Sequence, residues 1–414
     1  MAKKKIGLLW DSVSNNIGDQ AIGLTMKRFC DSRKIEYQVI NPFSFNYADY
    51  STIVIGGGEL IRALGDPFYD QYRVPGRHIL NSIGAYFPTD LEYLEEYKLI
   101  TVRSETDRVA LSSYIKNKDI SVVPCTTILM KELFPELESQ RANTEGLPVI
   151  GIHINAAAFN KLPGLIDSFK MLNKKYRIVL FPFTLYQNDR NLLESIQLFL
   201  PNAAVFPSED PFQVFKAIGT MDLMISSSLH AAIFAYLNEI PFLSNPVYPK
   251  IHNFLSERNL DRYIFNSVDN LPEAVDEIID NPINLTQQLE RDKNNIKSHL
   301  DQIEDLLKTE TIEKPLAPSM FFIKRIDYNA SEIHHSLSME NIKASAGLVS
   351  YSLFYQKKEL ELKECIQKNQ LLEAQLTERD EEITSYALSK SWQITRPFRK
   401  ASKILRRIKN ASRN

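Results

Sequence analysis

The run Ser226-Ser227-Ser228-Leu229-His230 has the residue types of an anion-binding turn. Serine hydroxyls and free backbone N–H groups at the start of a helix present donors to one point, and the helix dipole adds partial positive charge there. A histidine in the first helical turn could face the same anion and exchange a proton near neutral pH. The flanking residues supply the elements such a turn needs. Residues 222–226 form an apolar strand pattern, Ala231, Ala232, Phe234, Ala235 and Leu237 fall at helical spacing, and a further strand begins at 240–241. Lys250 follows that strand and adds a cation. From the residues alone, a serine turn that only caps a helix, with His230 half-buried beside it, is an equal alternative.

A second group of polar residues lies near the N-terminus. After a strand at 6–10, Asn15, Asn16 and Gly18 supply turn chemistry, and Asp19 is placed to cap a helix whose apolar face is Ile22, Met26 and Phe29. The strand at 51–55 runs into Gly56, Gly57 and Gly58, which would let a loop pass close to a ligand, and Glu59 could then meet a substrate hydroxyl. The three glycines lack the G-x-G-x-x-G spacing, so no dinucleotide is inferred. Arg103 ends a strand at 99–103, with Ser104 capping the helix that follows; a surface ion pair to Glu105 or Asp107 is the alternative to a role in the site. His153 and Asn155 close a strand at 149–154, on the carboxyl edge where ligands bind in open α/β sheets, and Lys161 is the nearest cation.

Composition narrows the classes. A chain of 414 residues with 44% hydrophobic and 24% charged residues can bury two cores and carry an appendage. A net charge of -2 argues against bulk nucleic-acid affinity. Cys30, Cys125 and Cys365 lie far apart without metal-ligand spacing, so neither a disulfide framework nor a zinc site is expected, and nothing in the sequence calls for a metal or a cofactor. With no apolar run long enough to span a bilayer, the expected location is cytoplasmic.

Strand and helix patterns alternate twice along the chain, with a polar linker at 136–146 between the series. The second series places strands at 149–154, 177–181 and 203–206 and helices at 165–172, 192–200 and 212–221, and helices near 273–279 and 285–307 finish it. The expected fold is α/β: two Rossmann-like, doubly wound domains, 1–140 and 147–312, facing a cleft in the GT-B manner. Residues 313–352 carry mixed signals and are left as a linker, while 353–388 read as a helix or short coiled coil that would join copies of the chain. In the basic tail 389–414, Phe398, Ala401, Ile404, Leu405 and Ile408 share a helical face after Pro397. Arg399, Lys400, Lys403, Arg406, Arg407 and Lys409 flank it, with Trp392 upstream, as in a helix that lies on an anionic membrane surface.

The stretch 226–243 with Tyr248 and Lys250 resembles the central motif of the polysaccharide pyruvyl transferase family, where a Ser/Arg-Leu-His-Ala/Gly turn precedes a helix and a Pro-containing strand. Asn16-Ile17-Gly18-Asp19 is similar to that family's Asn-x-Gly-Asp signature, and the glycine triplet and strand-end Arg103 have counterparts too, so the similarity spans roughly 6–280. Many members carry an arginine before the Leu-His pair; here it is Ser228. The resemblance implies pyruvyl transfer from phosphoenolpyruvate, a co-substrate rather than a cofactor, to a sugar of a cell-surface polysaccharide or its lipid-linked precursor. It assigns proton transfer or donor contact to His230, and donor binding to Ser226, Ser227, Ser228, Leu229, Lys250 and Arg103, to which the strand-edge residues His153 and Asn155 are added by position. The acceptor side falls to Asn15, Gly18, Asp19, Gly56, Gly57, Gly58 and Glu59. The same two-sheet architecture would serve a nucleotide-sugar glycosyltransferase, and a non-catalytic scaffold in polysaccharide assembly is a third reading. The tail is similar to Ser-Trp-x-x-Thr-x-Pro-hydrophobic-Arg endings of bacterial polysaccharide glycosyltransferases, which implies a peripheral position on the inner membrane face.

Each basic residue near an anionic surface contributes about 1 kcal/mol, and salt screens it. Full-length protein is therefore expected to bind anionic vesicles at low salt, and a chain truncated after Tyr386 is expected not to, in a sedimentation assay; equal binding by both would remove the anchor.

Overall fold

The structure is a computed structural model that describes residues 5–66, 68–138, 146–309 and 328–411. In the first sheet, β1 (Ile6–Leu9) is buried along its whole length, as a strand covered on both faces must be, and the chain leaves it through Asp11 and Ser14 into α1 (Ile17–Ser32). The cap of α1 is Asn16, whose side chain accepts from the Gly18 N–H, and not Asp19 as the sequence led us to expect. A short amide one residue before the helix reaches the second helical N–H directly, which leaves the Asp19 carboxyl free to turn elsewhere.

The chain continues through β2 (Gln38–Val39), β3 (Thr52–Gly56), β4 (Ile61–Arg62), β5 (Ile79–Ile83), β6 (Ala85–Tyr86) and β7 (Leu99–Val102) to α2 (Glu105–Ser112), β8 (Ile120–Val122) and α3 (Met130–Leu133). The sheet order is β2-β1-β3-β5-β7-β8, all parallel, with β4 and β6 pairing separately as a two-stranded ribbon. Ser104 caps α2 by accepting from the Asp107 N–H. Before β7 the chain forms a 3₁₀ turn at Glu92–Glu96.

The second series runs β9 (Val149–His153), α4 (Ala156–Lys161), α5 (Leu165–Lys175), β10 (Arg177–Leu180), α6 (Asp189–Gln197), β11 (Ala203–Val205), α7 (Pro211–Ile218), β12 (Leu223–Ser226), α8 (Leu229–Leu237), β13 (Phe242–Ser244), α9 (Pro249–Ser256), α10 (Leu271–Asp280) and α11 (Thr286–Thr309). Its five strands are parallel in the order β11-β10-β9-β12-β13. The short helices α4 and α9 carry no extended apolar period; Asn155 caps one and Pro249 opens the other. Every residue of α8 is buried, so this helix is packed on all sides.

In each sheet the strand order reverses once, between β1 and β3 in the first and between β9 and β12 in the second. Crevices at the carboxyl ends of strands beside such reversals are the ligand sites of doubly wound sheets. One apolar core joins the halves: Met26 and Phe29 of α1, Ile128 and Phe134 belong to the same buried cluster as Phe215, Ile225 and Phe234. Met1–Leu353 accordingly form one compact unit containing both sheets.

Helix α11, expected to finish the second domain, also reaches the first sheet. His299 Nε2 lies 2.7 Å from Asn81 Oδ1, Asn295 donates to the Val122 carbonyl, and Arg33 pairs with Asp301 at 3.0 Å and Glu304 at 3.3 Å. On its other side, buried Asp292 accepts from Arg258 Nε at 2.7 Å and from the Tyr236 hydroxyl at 3.0 Å, which ties α11 to α8 and to the end of α9.

Part of the linker expected at 136–146 lies outside the described residues, as does the first part of 313–352; from Tyr328 the chain is helical. That helix, α12 (Tyr328–Leu388), extends into a second unit, Phe354–Asn414, which also holds α13 (Lys390–Ala411). Within the second unit Leu362, Ile366, Leu372, Leu376 and Ile383 are exposed. Helix α13 continues through Pro397, where the sequence suggested a helix only after it. The side chains of Trp392, Arg407, Ile408 and Lys409, on which part of the tail expectation rests, lie outside the described residues. Among the described residues no helix is long and apolar enough to cross a membrane.

Removing one member of a buried ion pair leaves the other charge unmatched, at a cost of about 3–5 kcal/mol. Asp292→Ala is expected to lose stability in that range in urea denaturation, and the double variant Arg258→Met/Asp292→Leu to lose much less, because it strands no charge.

Candidate active site

The carboxyl ends of the two sheets enclose a cavity of about 460 Å³, within the range of small-molecule sites. Asp11, Asp19, Gly58, Glu59, Arg62 and Arg103 line it from the first half, and Asn155, Ser227, Ser228, Leu229, His230, Tyr248 and Lys250 from the second. Its narrow side depends on Gly18. A Cβ at that position would lie 2.0 Å from His230 Nδ1, so only glycine lets the first turn of α1 rest against the imidazole at the start of α8. Backbone bonds hold the two halves together beside this contact: Ile17 N–H donates to the Phe183 carbonyl at 3.1 Å, and Asn16 bridges Thr184. Elsewhere in the lining Gly58 has φ of 74°, and a Cβ there would come within 2.9 Å of Asp19 Oδ1.

The charges of the cavity are arranged around Glu59. Arg103 Nη2 approaches Glu59 Oε1 at 3.2 Å, while Arg62 Nη2 and Lys250 Nζ approach Oε2 at 3.3 and 3.8 Å. Arg103 pairs with Asp107, as its sequence position allowed, but the pair is buried rather than on the surface. Its side chain is buried, lies 3.9 Å from Asp107, and reaches into the cleft because Gly84 leaves room; a Cβ there would lie 2.2 Å from Arg103 Nη2. Burial alone would raise the Glu59 carboxyl, but Lys250, Arg103 and Arg62 outweigh it and hold it below the usual range. Burial depresses Lys250, and Glu59 opposes that shift. One carboxylate among three cations leaves the group able to accept further negative charge.

Proton-holding capacity sits elsewhere in the cavity. Burial pushes the Asp19 carboxyl up to about 8, with repulsion from Asp11 and Glu59 assisting and Lys250 and Arg103 opposing. Asp11 is likewise raised by burial, against the hydrogen bonds it accepts from the N–H groups of Val13 and Ser14. His230, expected to exchange protons near neutral pH, is held down to about 3 by burial, then by Arg103 and Lys250. Its imidazole is neutral in this setting and places Nε2 3.7 Å from Cys125 Sγ. Asp19 is thus the group whose proton is available near neutrality.

Several residues singled out from the sequence take structural positions instead. Ser226 is fully buried and donates to the Ser228 carbonyl at 3.1 Å, beside Ser244 Oγ at 3.3 Å. Ser227 Oγ accepts from the Asn155 N–H at 2.9 Å while Asn155 caps α4, so these two shape the wall from which Ser228 faces the cleft. His153 lies in the core with Nδ1 3.0 Å from the Phe181 carbonyl, and burial lowers it to about 4. Asn15 is an exposed turn residue with φ of 55°, and Gly57 packs on Ile22; neither these two nor Gly56 lines the cavity. Lys161 is exposed and outside it. Conversely, Asp11, Arg62, Asp66, Tyr69, Tyr186 and Met339 line the cavity without having been picked from the sequence. Only Asp11, a carboxylate just past the end of a buried strand, carried a readable signal. Among the described residues, no group of three His, Cys, Asp or Glu side chains could hold a metal ion.

Residues 16–244 match the family model described as Polysaccharide pyruvyl transferase. No curated protein matches the chain. Among solved structures the chain is similar to UDP-GlcNAc 2-epimerase from Neisseria meningitidis bound to UDP-GlcNAc, with 14% identity and a TM-score of 0.42 over 82% of this chain and 100% of that one. It is similar to the UDP-GlcNAc 2-epimerase of Methanocaldococcus jannaschii at 11% identity and a TM-score of 0.44, covering 68% and 93% of the two chains. A third similarity, to the wall teichoic acid polymerase TagF, has 12% identity and a TM-score of 0.41 over 73% and 88%.

The raised Asp19 carboxyl makes a stability prediction. Between the ordinary carboxylate range and about 8 the folded protein holds a proton that the unfolded chain has released, so this group's contribution to stability falls as pH rises through that window. Asp19→Asn removes the dependence. It is expected to melt above the wild type at pH 8, with the gap closing below pH 4, in thermal scans across pH; parallel curves for the two proteins would contradict the assignment.

Proposed function

We propose a donor, an acceptor and a proton source for this cleft from one premise: the chain belongs to the polysaccharide pyruvyl transferase family. The donor is phosphoenolpyruvate, and the acceptor is a sugar of a cell-surface polysaccharide or its lipid-linked precursor. The observation that carries this reading is the cluster of Arg62, Arg103 and Lys250 around the single carboxylate of Glu59, beside the first turns of α1 and α8. A small ligand with both a phosphate and a carboxylate suits three cations and helix N-termini at one point. The cation absent at Ser228 is supplied in this arrangement from across the cleft.

In the proposed reaction the Asp19 carboxyl gives its proton to the enol methylene carbon, leaving the adjacent carbon electrophilic. A sugar hydroxyl adds there and loses its proton to the Asp19 carboxylate, restoring the acid. Phosphate then departs with the electrons of its C–O bond, and a second hydroxyl of the sugar closes the ketal, passing its proton to the departing phosphate. The products are the pyruvate ketal and inorganic phosphate. Arg62, Arg103 and Lys250 stabilise the charge on the departing phosphate, and neutral His230 can donate one N–H to the donor. Asp19, rather than His230, is assigned the acid role because only its proton is held near neutral pH.

The tail bears on where this happens. On α13 the apolar Phe398, Ile404 and Leu405 are exposed among Lys400, Lys403 and Arg406, which supports action at an anionic membrane surface where lipid-linked saccharides are presented. The exposed apolar residues of α12 between 362 and 383 support self-association through that helix.

The test is ligand choice. Phosphoenolpyruvate is expected to raise the melting temperature where UDP-sugars do not. Loss of one charge-assisted contact is worth ~1.5–3 kcal/mol, so Arg103→Ala is expected to weaken phosphoenolpyruvate binding ~10- to 100-fold by calorimetry. Stabilisation by a UDP-sugar with no response to phosphoenolpyruvate would overturn the donor assignment in favour of nucleotide-sugar chemistry.

A further inference from the structure

The cavity has a wall that lies outside residues 16–244, the part matched by the family model. Ser338, Met339 and Ile342 of α12 line it, and all three belong to the compact unit that holds both sheets. Their segment is anchored by a stripe. Met339, Ile342, Ala346, Val349 and Leu353 recur at alternating spacings of three and four, which puts them on one helical face. Met339, Ile342 and Val349 are half-buried, Ala346 and Leu353 are each only 2% exposed, and Leu353 joins the core cluster. Between them Glu340, Asn341, Lys343 and Leu348 are exposed. The start of this helix is thus packed onto the catalytic body by its apolar face, and the end of that face borders the cavity.

The same cavity is lined by Phe68, Tyr69 and Tyr86, from the β4–β6 ribbon and the loop between its strands. Arg62 stacks on the Tyr69 ring at 3.9 Å and lies 5.4 Å from that of Tyr86, and Asp66 adds a carboxylate. The outer lining therefore combines aromatic faces, a thioether and a branched alkyl group with a guanidinium and a carboxylate. A pyranose ring has the complementary chemistry: an apolar C–H face that stacks on aromatic and alkyl surface, and a rim of hydroxyls that bond to charged side chains. At about 460 Å³ the cavity is also larger than phosphoenolpyruvate needs.

We propose that Met339 and Ile342 of α12, with Tyr69 and Tyr86, form a subsite for a sugar ring of the acceptor, so that the helical extension takes part in acceptor selection. This rests on the pyruvyl-transfer reading for the identity of the acceptor, but the subsite is testable without turnover. The full-length protein would be titrated with the methyl glycosides of glucose, galactose, mannose and N-acetylglucosamine and followed by saturation-transfer NMR, with UMP as a competitor. The wild type is expected to transfer saturation to the ring C–H protons of at least one glycoside. Ile342→Asp is expected to weaken that binding tenfold or more. Because Ile342→Asp could also undock the helix, Ser338→Trp, at an exposed lining position off the stripe, provides a second block with the helix in place. The melting shift given by phosphoenolpyruvate is expected to be the same in both variants as in the wild type. No saturation transfer to any glycoside in the wild type, transfer undiminished in both variants, or displacement of the glycoside by UMP would overturn the subsite. Glycoside binding weakened in the variants, with no phosphoenolpyruvate shift in any of the proteins, would support the subsite and count against the donor reading alone.

Discussion

The absence of a side chain at Gly18 is the constraint on which the site depends. With hydrogen alone at that position, the first turn of α1 can lie against the His230 imidazole, and the start of a helix from each sheet reaches the same cleft. The backbone bond from Ile17 to Phe183 and the shared apolar core hold that approach in place. Charges from the two halves then meet: Glu59 and Arg103 from one side lie together with Lys250 from the other. A Cβ at Gly18 would lie 2.0 Å from His230 Nδ1, so the wall that carries His230 would have to shift.

That proximity explains the protonation states. Asp11, Asp19 and Glu59 share a poorly hydrated space with Arg62, Arg103 and Lys250, and the distribution of cations decides which carboxyl stays charged. Glu59 has the three cations beside it and is held ionised. Asp19, where burial and repulsion from Asp11 outweigh Lys250 and Arg103, retains its proton near neutral pH. Two carboxyl groups in one cleft with opposed protonation is the pattern expected where one group must carry charge and the other a proton. The arrangement is unfavourable for folding and useful for chemistry, as strained charge at a functional site commonly is.

The family-matched segment supplies most of this machinery but not all of the walls. Helix α11 contacts the first sheet and the helices of the second half, and the start of α12 packs by an apolar stripe onto the body before the chain continues as an exposed helix. The extension is consequently not a mere spacer. Its first turns share the core with the catalytic unit, while its later turns and α13 present the apolar and basic side chains of a separate unit.

Sequence alone determined the alternation of strands and helices, the two parallel sheets and the turn at 226–230, because continuous apolar runs and 3.6-residue periods are local signals. It also marked Asp19, Gly18, Glu59, Arg103, Ser228, His230 and Lys250, since each stands at a strand end or helix start that the pattern exposes. What they do was decided by packing. His153 and Ser226 occupy the same kind of strand-end position as residues that line the cleft, yet the fold turns their side chains into the core. The protonation of Asp19 and His230 depends on neighbours tens to hundreds of residues away, and burial and long-range charge leave no trace in local spacing. Arg62, Tyr69 and Met339 lie on a short ribbon, a loop and a distant helix without a motif, so only the tertiary structure could bring them to one cavity.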